Sequence, residues 1–209
     1  MQYGRQTACC PPIRTVPMSL GPDNSTAARA ILHRPVVMVG MMGSGKTAIG
    51  RALSQRLGVD FADSDTEIER AANASIAEIF ARDGEIFFRK REEEVIARLM
   101  SGRPMILSTG GGAFLAPGTQ AAISRLGIAL WLDAPLDLLW ERVRHKDTRP
   151  LLRTPDPRAT LTQIFEARTP VYAKAPLRLE VRPGWSIEAT TAQAVDLLAT
   201  RPDILELSS

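Results

Sequence analysis

The chain has 209 residues, 44% of them hydrophobic and 23% charged, and a formal net charge of +3. This length and composition predict a globular protein with one sizeable core, and no apolar run approaches the roughly 20 residues that a membrane span needs. The net charge does not indicate a nucleic-acid-binding protein. Residues 1–34 hold four arginines and one aspartate, and so carry the whole excess of positive charge. The charge of residues 35–209 is therefore balanced, which suits a metabolic enzyme.

Residues 1–34 are predicted to be a flexible extension, followed by a single domain over residues 35–209. The extension holds several prolines and little periodicity before residues 25–32, where we expect a short helix ahead of the first strand. Cys9 and Cys10 are the only cysteines, and adjacent thiols form no disulfide framework. This usage indicates a reducing, cytoplasmic setting, although the acid-poor extension leaves a transit-like role open as an alternative.

Residues 40–47 read GMMGSGKT directly after the apolar run PVVMV, and they match the P-loop pattern G-x-x-x-x-G-K-[ST]. Glycines allow successive N–H groups to converge on one anion, and the helical spacing of residues 47–57 places the loop at a helix N-terminus, which favours phosphate. A plain glycine-rich turn is the alternative. The predicted nucleotide-binding residues are Gly43, Ser44, Gly45, Lys46, Thr47 and Ala48, with Lys46 on the outer phosphates and Thr47 on magnesium.

Apolar strand candidates alternate with helical patterns along the rest of the chain. This alternation predicts an α/β fold with a parallel sheet covered on both faces. The five predicted strands are residues 35–39, 59–62, 105–108, 128–132 and 177–181.

Two connections are longer than a parallel α/β core needs, and we predict that they bind substrate and cover the site. The first, residues 64–100, holds a capping box at residues 75–78, a stop at Asp83-Gly84 and a second helix over residues 85–100. The second, with a lid at about residues 145–168, has prolines, arginines and one helical run.

Asp63 and Asp65 follow the second strand, within FADSD. If the strand continues through both residues, their side chains point to the same face. We expect this strand to lie beside the P-loop strand. Both residues would then lie at the carboxyl edge of the sheet, where open α/β sheets bind ligands. One carboxylate is suited to binding magnesium, and the other is suited to accepting the proton of an attacking hydroxyl. A solvated acidic turn that caps the next helix is the alternative.

Glycines and arginines supply the remaining candidates. Gly110, Gly111 and Gly112 end the third strand, where a glycine run suits close approach of a ligand to the backbone, although glycine runs are often plain turns. Arginine offers a planar fork for carboxylate or phosphate, but composition does not single out particular arginines. Those of interest are Arg89, Arg149 and Arg168.

Six stretches, taken in order, resemble the shikimate kinase family of nucleoside-monophosphate-kinase-like P-loop proteins. They are GMMGSGKT, FADSDTEIE, SIAEIFARDGEIFFRKRE, STGGGA, TRPLL and ARTPVY. The P-loop alone says little about substrate, whereas the set is highly specific and spans nearly all of the chain after the extension. The resemblance implies a three-layer P-loop kinase fold and transfer of the γ-phosphoryl group of Mg-ATP to the 3-hydroxyl of shikimate, a step of aromatic amino acid biosynthesis.

The resemblance also implies a role for each matching residue. On the nucleotide side, Lys46 and Thr47 bind ATP phosphates and magnesium, Asp63 holds the hydrated magnesium, and Arg149 closes over the phosphates. On the substrate side, Asp65 binds the shikimate hydroxyls and acts as base, while the other substrate contacts are Arg89, Arg168, Gly110, Gly111 and Gly112. The implied catalytic set is Asp65, Lys46 and Arg149, with ATP and Mg²⁺ required.

Two other functions fit part of the pattern. A kinase of the same architecture acting on a nucleoside monophosphate or gluconate would keep the P-loop, but would not need DGE before an arginine, the triple glycine and ARTPVY together. A regulatory nucleotide-binding protein would usually have lost Lys46, Asp65 or a substrate arginine, and none is lost here. We therefore expect a monomeric enzyme with shikimate as partner and neither nucleic acid nor membrane.

Overall fold

A computed structural model describes residues 29–145 and 150–208. Its main sheet has five parallel strands in the order β3-β4-β2-β5-β6, which confirms the predicted parallel α/β sheet. The strands are β2 (Val36–Val39), β3 (Asp60–Asp63), β4 (Met105–Ser108), β5 (Ile128–Asp133) and β6 (Leu177–Glu180). Every residue of β2 is buried, because helices cover both faces of the sheet at its centre.

Seven α-helices are described; the loop after β2 leads into the first of them, and β3 leads directly into the second. α1 packs against α7, and α3 packs against α4. The helices are α1 (Lys46–Leu57), α2 (Ser64–Ala72), α3 (Ile76–Met100), α4 (Pro117–Leu126), α5 (Leu136–Val143), α6 (Pro157–Tyr172) and α7 (Ile187–Ala199), and short 3₁₀ turns occupy Ala113–Leu115 and Pro150–Leu152.

The first long connection forms a helical unit with a small apolar cluster of its own, made by Ile68, Ile79 and Phe88. Its capping box is present as predicted, with the Ser75 side chain accepting from the Glu78 amide and the Glu78 carboxylate accepting from the Ser75 amide. The predicted stop is also confirmed, because Gly84 interrupts α3 with φ 81° and ψ 169°. The break redirects the chain so that the second half of α3 runs past the sheet.

Two local predictions about Asp63 and Asp65 were wrong. The strand does not continue through both carboxylates, since β3 ends at Asp63 and α2 begins at Ser64. The Asp63 side chain accepts from the Asp65 amide, and this N-cap turns the chain into the helix. Nor does β3 lie beside the P-loop strand β2, because β4 lies between them.

The expected helix at residues 25–32 is also incorrect in its described part. Arg29–Leu32 forms a strand, β1, that pairs antiparallel with β7 (Leu205–Ser208), because the end of the chain offers it an open strand edge. Leu32 and Leu205 face each other in this pair and are both buried, so β1 packs with the core that the main sheet and its helices form. The rest of the predicted extension, residues 1–28, lies outside the described residues.

Candidate active site

The P-loop connects β2 to α1 with a backbone that requires glycine. Gly45, the N-cap of α1, has φ 102°, and a Cβ at Gly40 would lie 2.8 Å from the Leu132 carbonyl oxygen. Lys46 is buried, and its Nζ donates to the carbonyl oxygens of Gly40 and Met41, both at 2.9 Å. The loop therefore curls around its own lysine at the start of a helix, where an anion is favoured.

Arg142, near the end of α5, supports the P-loop from outside. Its Nη1 donates to the carbonyl oxygens of Gly43 at 3.1 Å and Ser44 at 3.3 Å. Ser44 itself is fully buried, and its Oγ has no hydrogen-bond partner among the described residues. Arg142 was not predicted from the sequence, because nothing in its local pattern separates it from the neighbouring arginines.

Thr47 and Asp63 meet although their strands are not neighbours. The Thr47 hydroxyl donates to Asp63 Oδ2 at 2.9 Å and lies 3.2 Å from the Ser108 hydroxyl at the end of β4. These are hard oxygen donors at the mouth of the phosphate loop, and Mg²⁺ typically uses one or two protein oxygens together with water and phosphate. The residues present thus fit a magnesium ion; the helix-cap alternative is correct for Asp63, and its role as a metal ligand stays a prediction.

Asp65 occupies the first turn of α2 and faces the glycine turn. A Cβ at Gly110 would lie only 2.7 Å from Asp65 Oδ1, so the backbone at position 110 has no space for a side chain. Burial, followed by the nearby charge of Asp63, raises the pKa of Asp65 from 3.8 to about 6. A carboxylate with a pKa in that range suits general-base chemistry at neutral pH.

Arg89 lies at the other end of the glycine turn. A Cβ at Gly112 would be 2.5 Å from Arg89 Nη2, which again explains glycine at that position. The guanidinium donates from Nη1 to Glu92 Oε2 at 2.7 Å and from Nη2 to Glu85 Oε1 at 3.2 Å. Glu92 is 1% exposed, and its other oxygen, Oε1, has no hydrogen-bond partner among the described residues.

Glu92 was not among the site residues predicted from the sequence, although its position three residues after Arg89 on one helix indicates that the two side chains can pair. Burial raises the pKa of the Glu92 carboxyl, against the opposing effect of Arg89. Its unpaired Oε1 would be 3.1 Å from a Cβ at Gly110. Glu92 therefore belongs to the same cluster as Asp65 and Arg89.

The structure describes the predicted site residue Arg168 but not Arg149. Arg168, on α6, is partly buried and approaches Gly111, where a Cβ would lie 3.9 Å from Arg168 Nη1. Two predicted substrate arginines are thus brought to one glycine turn, Arg89 at Gly112 and Arg168 at Gly111. Arg149 lies outside the described residues, so its predicted role at the phosphates stays a prediction.

A cavity of about 540 Å³ joins the P-loop to the carboxylates and the glycine turn. Near the P-loop it is lined by Gly43, Gly45, Lys46, Thr47 and Ala48, and toward β3 and β4 by Asp63, Asp65, Gly110 and Gly111. The rest of its wall comes from residues that the sequence did not indicate. These are chiefly Arg142, Trp185, Ser186, Ile187 and Thr190.

Comparison with known proteins agrees with this arrangement. The family model described as shikimate kinase matches residues 42–198. The chain is 63% identical over 179 residues to a shikimate kinase of Ruegeria pomeroyi, covering 86% of this chain and 92% of that protein. The chain belongs to the shikimate kinase family.

Further shikimate kinases support the assignment. One from Cereibacter sphaeroides is 60% identical over 184 residues, covering 88% of this chain and 92% of that protein. The solved structure of a shikimate kinase from Acinetobacter baumannii in complex with shikimate is 34% identical, has a TM-score of 0.76 and covers 80% of this chain and 93% of that one.

Membership confirms several of the expectations from sequence. The P-loop kinase fold and the resemblance to shikimate kinases are correct, and the activity is that of an ATP-dependent kinase, EC 2.7.1.71. Residues from five of the signature stretches, all except TRPLL, meet at the cavity and at the adjoining glycine turn. Within residues 29–145 and 150–208, no helix is both long enough and apolar enough to cross a membrane.

Proposed function

We propose that this protein transfers the γ-phosphoryl group of ATP to the 3-hydroxyl of shikimate, giving shikimate 3-phosphate and ADP. One observation carries the proposal. Asp65, whose pKa is raised to about 6, stands between a phosphate-binding loop and a glycine turn that two arginines approach. A hydroxylated carboxylic acid held by those arginines would present a hydroxyl to Asp65 and to the γ-phosphate.

The P-loop is assigned to the ATP phosphates. Gly43, Gly45, Lys46, Thr47 and Ala48 line the cavity, and the buried Lys46 supplies positive charge there. In phosphoryl transfer, negative charge spreads over the equatorial oxygens of the transferred group, so catalysis depends on positioning and on neutralising that charge. Lys46 would neutralise part of it, and Arg149 would add to this from the lid.

The nucleoside is assigned to the part of the cavity wall that lies outside the P-loop and the carboxylates. Trp185, Ser186 and Ile187 line this part together with Arg142. An aromatic ring and a guanidinium are the surfaces on which a planar base stacks. With the nucleoside placed there, Asp65 and the glycine turn stay available to the phosphoryl acceptor.

Magnesium is assigned to Thr47 and Asp63, whose oxygens lie 2.9 Å apart. Bound there, Mg²⁺ would neutralise charge on the β- and γ-phosphates during transfer. The N-cap bond from the Asp65 amide fixes one oxygen of Asp63, which leaves its other oxygen oriented toward Thr47.

Asp65 is assigned as the base. As the oxygen of the 3-hydroxyl bonds to phosphorus and the bond to the β-phosphate oxygen breaks, the hydroxyl proton passes to the carboxylate of Asp65. The substrate carboxylate would bind Arg89 and Arg168, since a guanidinium pairs with a carboxylate through two parallel hydrogen bonds. Holding that end of the ring decides which hydroxyl faces Asp65.

The proposal also covers the oligomeric state of the protein, its location and its other partners. We infer a monomeric, cytoplasmic enzyme that binds neither nucleic acid nor membrane. The balanced charge of residues 35–209 and the absence of a disulfide framework in the sequence support it.

The test is ADP formation from Mg-ATP by the purified protein, with and without shikimate, in wild-type, Asp65→Asn and Arg89→Ala forms. We expect strong shikimate dependence, and loss of about 10²- to 10⁴-fold in turnover for Asp65→Asn. ATP affinity should be largely kept in both variants. Turnover that does not depend on shikimate would reject the substrate, and near-normal turnover of Asp65→Asn would reject the base.

A further inference from the structure

The carbonyl groups of the glycine turn have three different partners. The Gly110 carbonyl accepts from the Ala113 amide at 3.1 Å, and the Gly112 carbonyl accepts from the Leu115 amide at 3.1 Å. Between them, the Gly111 carbonyl accepts from the hydroxyl of Tyr172, the last residue of α6. One carbonyl of the turn is thus held by a side chain 61 residues away.

Gly111 lies where the two halves of the site meet. A Cβ at this residue would be 3.5 Å from the Met42 amide and 3.6 Å from the Gly40 carbonyl oxygen, both in the P-loop. It would also be 3.9 Å from Arg168 Nη1. The orientation of the Gly111 peptide therefore affects the space between the phosphate loop and a substrate arginine.

Tyr172 is well anchored for such a role. It is 1% exposed, and its ring stacks on Trp131 of β5 with a centroid distance of 6.3 Å. Arg168 lies one helical turn earlier on the same helix, and its positive charge opposes the effect of burial, which raises the pKa of the Tyr172 hydroxyl. A buried phenol needs a polar partner, and this one has the Gly111 carbonyl.

We propose that Tyr172 is a positioning residue of the substrate site, whose hydroxyl fixes the orientation of the Gly111 peptide beside the Arg168 guanidinium. The inference rests on the proposed roles of Gly111 and Arg168 in shikimate binding. The P-loop does not need this hydroxyl, because Lys46 and Arg142 already bind its carbonyl groups. The effect of Tyr172 should therefore be on shikimate and not on ATP.

The test is Tyr172→Phe, which removes the hydroxyl and keeps the ring on Trp131. We expect kcat/KM for shikimate to fall about tenfold, mostly through KM, as for loss of one buried hydrogen bond that also releases a neighbouring group. KM for ATP should stay within about twofold of wild type. A folded variant with unchanged shikimate KM and kcat, even one with a lower Tm, would overturn the proposal.

Two variants make the result specific. Thr191→Val removes another buried hydroxyl, which bonds the Ile187 carbonyl within α7 at 2.7 Å, and it should leave shikimate KM unchanged. Arg168→Lys tests the assignment on which the inference rests. If Arg168→Lys raises shikimate KM and Tyr172→Phe does not, only the role of Tyr172 fails; if Arg168→Lys has no effect, the proposed substrate site itself fails.

A second measurement covers the case in which Tyr172→Phe does not fold. The chain has two tyrosines, Tyr3 and Tyr172, so incorporating 3-fluorotyrosine into Tyr3→Phe protein leaves a single fluorine label. We expect its fluorine NMR signal to shift when the otherwise native protein is saturated with shikimate. A signal that does not respond to saturating shikimate would overturn the proposal.

Discussion

Asp65 and Gly110 are so close that a Cβ at position 110 would lie 2.7 Å from Asp65 Oδ1 and 3.1 Å from Glu92 Oε1. The base of the proposed reaction therefore has its position because the facing residue has no side chain. Gly110 does not have a positive φ, so its requirement for glycine is steric and not conformational.

Gly110→Ala should consequently disable the enzyme by displacing Asp65. We expect turnover to fall by about 10²-fold or more, within the range that general-base help supplies, while the nucleotide affinity changes little. Steady-state kinetics with titrated ATP and shikimate would measure both. Gly102→Ala is a suitable control, since its Cβ would meet nothing nearer than 3.7 Å and should leave kinetics unchanged.

Asp65→Asn should make the nucleotide-free protein more stable at neutral pH even though it removes activity. The pKa of Asp65 is raised from 3.8 to about 6, so the folded state binds more protons than the unfolded state between those values. The free energy of unfolding therefore falls as pH rises from 4 to 6, and above pH 6 the wild-type protein bears the full cost of a partly buried carboxylate.

Allowing for solvent screening of this partly exposed group, we expect a gain of about 1–2 kcal/mol for Asp65→Asn at pH 7–8. The gain should vanish near pH 4. Urea unfolding of wild type and variant at both pH values, with EDTA and without nucleotide, would measure it. Asp60→Asn, which changes an exposed carboxylate at the start of β3, is the control; an equal gain for Asp65→Asn at pH 4 and pH 8 would contradict the explanation.

Arg89→Lys should weaken shikimate binding although it keeps the charge. The planar guanidinium contacts Glu92 and Glu85 at once, and an ammonium group cannot reproduce that geometry while also pairing with a carboxylate. We expect shikimate KM to rise about 10- to 100-fold, with ATP KM little changed. Arg91→Lys, on the same helix and paired with the exposed Glu94, is the matched control and should behave as wild type.

Trp185→Ala should raise KM for ATP and leave KM for shikimate unchanged. Trp185 lines the cavity, and the Arg182 guanidinium lies 5.3 Å from the centroid of its ring. Loss of one stacking surface predicts about a 5- to 20-fold weaker interaction with ATP. Trp185→Phe, which keeps an aromatic face, should recover most of it, and a larger change in shikimate KM than in ATP KM would contradict the assignment.

The sequence by itself determined the features that depend on near neighbours in the chain. Glycine spacing and a following helical pattern identified the P-loop, apolar runs located the five parallel strands, and the capping box and Gly84 predicted the two parts of α3. Each of these features follows from the conformational preferences of a few neighbouring residues, so it can be predicted without knowledge of the fold. The signature stretches then led to the family that the comparisons confirm.

Only the tertiary structure decided which distant residues meet. It placed β4 between the P-loop strand and Asp63, brought Arg142 to Gly43 across 99 residues, and brought Tyr172 to Gly111 across 61. It also paired β1 with β7 at opposite ends of the described chain. Such contacts depend on strand order and on the packing of helices over the sheet, and local preference carries no information about either.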